Sequence, residues 1–173
     1  MLSVALLHWP CLDKNGNEIA CAITNLDLHD CARACLTYGI DTLYIVHPNP
    51  GQLDFAKRII DHWLKGFGGR YNPLRKRALE IIRLVHDIEE IRRQTDALMV
   101  GTSARRIEGC ISWQDARERS RSQDMCLLFG TGWGISPRYI GSFDAVIEPI
   151  AGKGEFNHLS VRSAVSIALD RIT

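Results

Sequence analysis

Apolar residues along the chain alternate between short runs of strand length and longer stretches with helical spacing. The short runs predict strands over residues 4–7, 42–46, 97–101, 125–129 and 145–150. The run at 81–85 fits either element by spacing, and its β-branched content favours a sixth strand. Strands that alternate with helices predict an α/β fold, with a parallel sheet flanked by helices on both faces.

The longer stretches predict the helices. In residues 25–38 the apolar positions recur every three or four residues, which places them on one helical face. Thr24 and Asp27 form a capping-box pattern at its start, and Gly39 suits its end. Further helices are predicted from Leu53 through Phe67, after Asn72-Pro73, and over 88–94, 113–121 and 161–172.

Length and composition indicate one folded domain over residues 1–173. Hydrophobic residues make up 46% and charged residues 24%, as in ordinary globular proteins. No apolar run approaches the roughly 20 residues of a membrane span, so we expect a cytoplasmic protein with no membrane partner. The six cysteines include no C-x-x-C pair, which favours reduced thiols and predicts no metal site.

Positive charge is concentrated in one part of a nearly neutral chain. Residues 57–77 contain seven basic residues and one acidic residue, although the whole chain has a net charge of +1. This asymmetry indicates a local anionic partner, and we assign RNA binding to Arg70, Arg75, Lys76 and Arg77. Trp63, Phe67 and Tyr71 interleave with them as stacking surfaces, although Trp63 and Phe67 also fit the apolar stripe of a core-facing helix.

Three glycine-bearing segments follow predicted strands: residues 101–105, 129–134 and 148–154, the last continuing into 156–160. In a parallel sheet, ligands bind at the loops that leave the carboxyl ends of the strands. Glycine lets a backbone approach a nucleoside closely. Each segment alone is more typical of a tight turn, and none has dinucleotide or phosphate-loop spacing. Their joint placement predicts a binding pocket.

Six stretches carry a resemblance to a known family: residues 6–10, 24–33, 71–73, 101–105, 127–134 and 156–170. The sequence resembles the SPOUT superfamily of knotted RNA methyltransferases. It is most similar to a small bacterial group of SAM-dependent RNA methyltransferases related to the C-terminal region of some tRNA guanine-N1 methyltransferases. The resemblance spans nearly the whole chain, and residues 129–134 with 157–165 are its specific part.

The resemblance implies a cofactor, S-adenosylmethionine, held in a deep C-terminal trefoil knot. It assigns the cofactor pocket to Gly101, Thr102, Phe129, Gly130, Gly132, Ile147, Ile150, Asn157, Leu159 and Ser160. It also implies a homodimer whose active site is completed across the interface.

Four residues are candidates for catalysis by the same resemblance. Asn25, His29 and Arg33 are spaced four apart, which places them on one helix face, and Arg33 matches an arginine placed at the target 2'-hydroxyl in related ribose methyltransferases. Guanidinium stays charged, so Arg33 suits phosphate or a developing alkoxide. His29 and His158 are the candidate proton acceptors, with a solvated helix position as the alternative for His29.

One departure concerns the target. Ribose-modifying relatives often carry Asn-Glu where this chain has Thr131-Gly132, so a carboxylate is missing and base or 2'-hydroxyl stays open. The sequence therefore predicts an S-adenosylmethionine-dependent methyltransferase acting on structured RNA, tRNA or rRNA. The alternatives are a non-catalytic RNA-binding module that keeps S-adenosylmethionine as a structural ligand, and a nucleotide-binding enzyme.

Overall fold

A six-stranded parallel sheet organises the protein, described here over residues 1–173 from a computed structural model. The strands are β1 (Leu2–Leu7), β2 (Cys11–Leu12), β3 (Glu18–Ile19), β4 (Leu43–Val46), β5 (Ile82–Val85), β6 (Leu98–Gly101), β7 (Met125–Gly130) and β8 (Ala145–Val146). The sheet order is β5-β4-β1-β7-β6-β8, and β2 pairs with β3 in a separate antiparallel hairpin. The predicted α/β class and parallel sheet are confirmed.

Helices cover both faces of the sheet. They are α1 (Asn25–Thr37), α2 (Pro50–Leu64), α3 (Phe67–Tyr71), α4 (Pro73–Leu79), α5 (Ile88–Gln94), α6 (Trp113–Ser122), α7 (Pro137–Ile140) and α8 (Val161–Ile172). Val4 and Leu6 of β1 pack into a large core with α1, α2, α4, α6 and α8. Ala5 and Leu7 face a smaller core with α5 and α7. Successive strand residues point to opposite faces, so an apolar run such as β1 is buried on both sides.

Helix α1 begins as its sequence predicts, with one difference. The Thr24 side chain accepts a hydrogen bond from the Asp27 backbone amide at 3.2 Å, which caps the first turn. The Asp27 carboxylate accepts from the Thr24 hydroxyl at 2.6 Å and pairs with Arg162, so it does not return to the backbone of the cap. The reciprocal half of the predicted capping box is therefore replaced by a contact with α8.

The predicted helix through Phe67 is wrong beyond Leu64. Phe67 instead starts the short helix α3, and its side chain is 65% exposed, so it is not a core residue. The change of direction follows from close packing: a Cβ on Gly69 would lie 2.1 Å from the Trp63 carbonyl oxygen. Only glycine allows α3 to rest against the end of α2.

The last predicted strand is also shorter than its apolar run. β8 pairs with β6 only through Ala145 and Val146, and Ile147 adds one isolated bridge to Ile111. Glu148 then turns toward α6, where its carboxylate accepts from the Trp113 amide at 3.2 Å. The chain leaves the sheet at this point and enters the third glycine-bearing loop. Among its helices, none is both long enough and apolar enough to span a bilayer.

Candidate functional site

A cavity with a volume of about 940 Å³, which we call the main cavity, lies at the carboxyl ends of β1, β6 and β7. Residues from all three glycine-bearing segments line it, together with the loop after β1 and the start of α1. The convergence predicted from the sequence is therefore confirmed as geometry. It arises because β6 and β7 are neighbours in the sheet and β8 lies beside β6.

Eight of the ten predicted cofactor residues border this cavity: Thr102, Phe129, Gly130, Gly132, Ile150, Asn157, Leu159 and Ser160. The candidate catalytic residue His158 also borders it. Gly101 and Ile147 do not. They lie behind the wall, where the Ile147 amide donates to the Gly101 carbonyl at 2.9 Å, so they support the pocket instead of lining it.

The second loop depends on its glycines. A Cβ on Gly130 would lie 2.6 Å from Ile135 Cγ1, which leaves no room for a side chain. Gly132 has a φ of +60° and contacts the loop after β1, a backbone conformation that other residues rarely adopt. Thr131 anchors the loop, since its amide and hydroxyl both donate to the Leu7 carbonyl, at 3.1 and 3.0 Å.

The third loop is closed by its own side chains. Asn157 Oδ1 accepts a hydrogen bond from the Gly152 amide at 2.9 Å, and Ser160 caps α8 by accepting from the Ser163 amide. Phe156 is 80% exposed and contacts His158 edge-on, with ring centroids 5.4 Å apart. His158 is exposed and borders the cavity.

His8 is a site residue that the sequence analysis missed. It borders the cavity, its side chain is fully buried, and neither ring nitrogen forms a hydrogen bond of normal geometry within the protein. Burial lowers the pKa of His8 to about 4, an effect that the Asp27 carboxylate opposes and the nearby His47 reinforces. His8 is thus a neutral imidazole near pH 7, with one ring nitrogen as a donor and the other as an acceptor. The sequence did offer one indication of His8 as a site residue, because it is a polar residue directly after the buried strand β1.

A partly buried ion pair lies beside the cavity. Asp27, 4% exposed, lies at the cavity wall, and Arg162 Nη1 of α8 contacts its Oδ1 at 2.9 Å. Arg162 Nε also lies 3.5 Å from Asp30 Oδ2, so one guanidinium joins two carboxylates of α1. This contact holds the first turn of α1 against the first turn of α8, and both turns border the cavity.

The three predicted catalytic residues of α1 lie in different environments. Asn25 is exposed, and Arg33 faces a second, open depression of about 580 Å³ that it shares with Ser160 and Arg162. His29 is instead buried, edge-on to Trp63 with ring centroids 5.3 Å apart. The solvated position considered for His29 is therefore wrong, because α4 and the end of α2 cover this side of α1.

The environment of His29 also affects its charge. Burial, and secondarily the Arg75 guanidinium, lower the pKa of His29. Its Nδ1 has no hydrogen-bond partner. His29 is accordingly neutral near pH 7, and it does not border the main cavity. Among the predicted proton acceptors, only His158 does.

The four predicted RNA-binding residues lie on or between α3 and α4. Arg70 and Arg77 are exposed, Lys76 is half-buried, and the Arg75 guanidinium lies over the Trp63 ring, 5.3 Å from its centroid. No group of three or more His, Cys, Asp or Glu side chains in the structure has an arrangement that would hold a metal ion.

Comparison with known proteins identifies the family. The sequence model of a family described as SAM-dependent RNA methyltransferase matches residues 1–173, the whole of the chain. The chain belongs to this family. Its members are enzymes that use S-adenosylmethionine, so the predicted family, enzyme class and cofactor are confirmed.

Two relatives show how far the similarity extends. An uncharacterized protein of Aquifex aeolicus is 40% identical over 177 residues, which cover 98% of this chain and 86% of that protein. A tRNA (guanine-N(1)-)-methyltransferase of Nitratidesulfovibrio vulgaris is 37% identical over 177 residues, or 99% of this chain and 41% of that protein. The SAM-dependent RNA methyltransferase chain described here thus spans about two fifths of the length of the second relative.

Solved structures share the fold at low sequence identity. TrmJ from Z. mobilis ZM4 superposes with a TM-score of 0.67 at 17% identity, over 99% of this chain and 68% of that one. An AdoMet-bound rRNA methyltransferase from Sinorhizobium meliloti superposes with a TM-score of 0.60 at 16% identity, over 99% and 55% of the two chains.

The cavity fits S-adenosylmethionine in size and chemistry. Its volume lies within the roughly 300–1,000 Å³ typical of small-molecule sites. The amides of Gly132 and Ile150 make no hydrogen bond within the chain, so they are free to bind a nucleoside or carboxylate. The buried, neutral His8 also borders the cavity. When bound, the cofactor supplies an electrophilic methyl group on a sulfonium.

Proposed function

We propose that this protein transfers the methyl group of S-adenosylmethionine to a nucleophilic atom of structured RNA, either tRNA or rRNA. The observation that carries the proposal is the single cavity formed by three glycine-bearing loops, with free backbone amides and buried His8 along its wall. When bound, S-adenosylmethionine would supply the methyl carbon, and a lone pair of the RNA nucleophile would form the new bond to it as the carbon–sulfur bond breaks and its electrons go to sulfur. The nucleophile also loses a proton.

The residues of the chain mainly hold the two reactants in line, an effect that can lower a barrier by about 7–11 kcal/mol. Thr102, Gly132 and Ile150 fix the donor side of the cavity. His158, exposed at the rim, accepts the proton that the nucleophile releases. Arg33 keeps its positive charge and stabilises the negative charge of phosphate or of a developing alkoxide.

A homodimer is part of the proposal because Arg33 does not border the main cavity of its own subunit. Pairing two copies would place Arg33 of one subunit at the cavity of the other. Exposed apolar side chains support such an interface near the cavity: Trp133 is 58% and Leu159 is 47% exposed. Both border the cavity, and solvent-exposed apolar groups at a rim are typical of association surfaces.

The C-terminal trefoil knot is also proposed, with support from the path of the chain. β8 lies at the outer edge of the sheet beside β6, whereas α8 packs against α1, α6 and β7. The chain thus returns from the edge to the middle of the sheet after β8, as the proposed knot would require. We also place the reaction in the cytoplasm, where tRNA and rRNA occur and where the six free thiols stay reduced.

Transfer of radioactive methyl groups tests the activity. The purified protein, incubated with tritiated S-adenosylmethionine and total tRNA or rRNA, is expected to label RNA. Arg33→Ala should abolish labelling while the cofactor affinity stays within about threefold, because transition-state and ground-state contacts are separable. Cofactor binding without label in any RNA would instead support the non-catalytic module. Mass spectrometry of the labelled nucleosides distinguishes a base from a ribose product.

Mixing two inactive variants tests the shared active site. If Arg33 acts across the interface, Arg33→Ala mixed with the pocket variant Gly130→Ala forms heterodimers with one intact site. Random pairing should then restore about one quarter of wild-type activity. No recovery in a mixture shown to exchange subunits would place Arg33 and the cavity in the same subunit.

A further inference from the structure

Two aromatic side chains stand exposed and parallel on α3. Phe67 and Tyr71 are 65% and 78% exposed, and their rings stack with centroids 6.0 Å apart and planes inclined by 25°. Leu74, at the start of α4, is 78% exposed. Single exposed apolar residues are normal, whereas a cluster of three within one short segment indicates a binding surface.

Two cationic residues lie on the same two helices as this cluster. Arg70 lies on α3 between the two aromatic residues, and Arg77 lies on α4. Both are exposed, and neither forms a salt bridge or side-chain hydrogen bond in the structure. Their guanidinium groups are therefore free to bind an anionic partner. Phe67, Arg70, Tyr71, Leu74 and Arg77 together form what we call the aromatic platform.

The platform is held rigidly by residues beneath it. Gly69 packs on the Trp63 backbone, and Asn72 Oδ1 accepts a hydrogen bond from the Arg75 amide at 3.0 Å, which starts α4 directly after α3. The Arg75 guanidinium in turn covers the Trp63 ring. An aromatic surface that is already ordered loses little conformational entropy on binding, which favours recognition of a flat ligand.

We propose that the aromatic platform binds unpaired nucleotides of the RNA substrate. Bases would stack on Phe67 and Tyr71, and the flanking phosphates would pair with Arg70 and Arg77. This mode suits loops and single strands, whose bases are free to stack, and does not suit a continuous duplex. A second copy of the chain fits less well, because a symmetric contact would bring the arginines of both platforms together. The inference rests on the proposed function for the identity of the RNA.

Helix α1 connects the platform with the cavity. Thr24 at its start borders the cavity, and His29, five residues later, contacts Trp63 beneath the platform. Five residues of helix span about 8 Å. An RNA loop that follows α1 would place a nucleotide at the cavity while its neighbours rest on the platform.

The test measures RNA binding without any methyl transfer. A fluorescent RNA hairpin with a loop of about seven unpaired nucleotides and a fully paired duplex of the same stem are titrated by anisotropy. Phe67→Ala and Tyr71→Ala should each weaken hairpin binding by about 5- to 100-fold and leave duplex binding nearly unchanged. Tyr71→Phe keeps the ring and should bind like wild type. Phe55→Ala, which removes an exposed aromatic residue of α2 outside the platform, is the matched control.

Two further measurements separate the outcomes. Calorimetric S-adenosylmethionine binding should be the same in wild type and both alanine variants, which confirms that they are folded. Unchanged hairpin affinity in both alanine variants would overturn the proposal that the platform binds RNA. Loss of dimers in these variants on sedimentation would also overturn it, because the platform would then be a contact between two copies of the chain. If the alanine variants keep both methyl transfer and hairpin binding, RNA binding by the platform is refuted and the proposed enzyme activity stands. Hairpin binding that depends on the platform, without any transfer, refutes the proposed enzyme activity alone.

Discussion

Burial of His8 in its neutral form should make the protein markedly less stable in mild acid. The pKa of His8 is about 4 in the folded protein, against 6.5 for an exposed histidine. A group whose folded pKa is lowered in this way takes up a proton in the unfolded chain first. Its contribution to stability is therefore complete above the unfolded pKa and is lost as the pH falls from 6.5 toward 4.

The size of the loss follows from these two pKa values. Between about pH 7.5 and about pH 4.5, one such histidine lowers the free energy of unfolding by about 2.5 kcal/mol. His29 and His47 add to the loss, because burial lowers their pKa values as well. Urea unfolding at a series of pH values, followed by circular dichroism, measures the total.

The variant His8→Gln isolates the contribution of His8. Glutamine has no titratable group, so the free energy of unfolding of this variant should fall less than that of wild type between the two pH values, with a difference of about 2.5 kcal/mol. His62→Gln, the same substitution at an exposed histidine of α2, is the matched control. Equal pH dependence in His8→Gln and wild type would refute the idea that a neutral, buried His8 lies at the cavity wall.

Other substitutions test the loops and the contacts between helices. Arg162→Ala leaves the buried Asp27 carboxylate without its cationic partner, so the free energy of unfolding should drop by about 2 kcal/mol. This value is below that of a fully buried pair because Arg162 is partly exposed. A drop as small as that of the exposed control Arg121→Ala would contradict a stabilising role of the ion pair. Gly130→Ala forces a Cβ against Ile135 and should destabilise by about 1–3 kcal/mol and weaken cofactor binding in calorimetry. Gly154→Ala, in open space on the third loop, should change neither quantity, and equal effects of the two glycine variants would rule out close packing as the cause.

The parallel strands at the middle of the sheet were predictable because they are buried on both faces. Residues 4–7 of β1 and 125–129 of β7 are continuous apolar runs, as expected for strands buried on both faces. β8 was predicted too long because residues 147–150 are also apolar in part, yet Glu148 pairs with the amide of Trp113 on α6. That partner is distant in sequence, so no local pattern reveals where the strand ends. The two-residue strands of the β2–β3 hairpin are too short to show any period.

The candidate site was predictable where it depends on strand order and not on side-chain burial. Loops after parallel strands meet at one edge, which brings Thr102, Gly132 and Asn157 to one cavity. His8 and His29 could not be assigned from spacing, since their burial results from elements that approach from elsewhere in the chain. The same holds for Phe67, whose place on an apolar stripe suggested the core until the turn before α3 moved it to the surface.

A crystal structure of the protein with S-adenosylmethionine tests the central claim most directly. The cofactor should occupy the cavity between the three loops, with its polar groups bound by the Gly132 and Ile150 amides and one end near His8. A cofactor bound at another surface, or an empty cavity under conditions in which calorimetry shows saturation, would contradict the assignment of this cavity as the methyl-donor site.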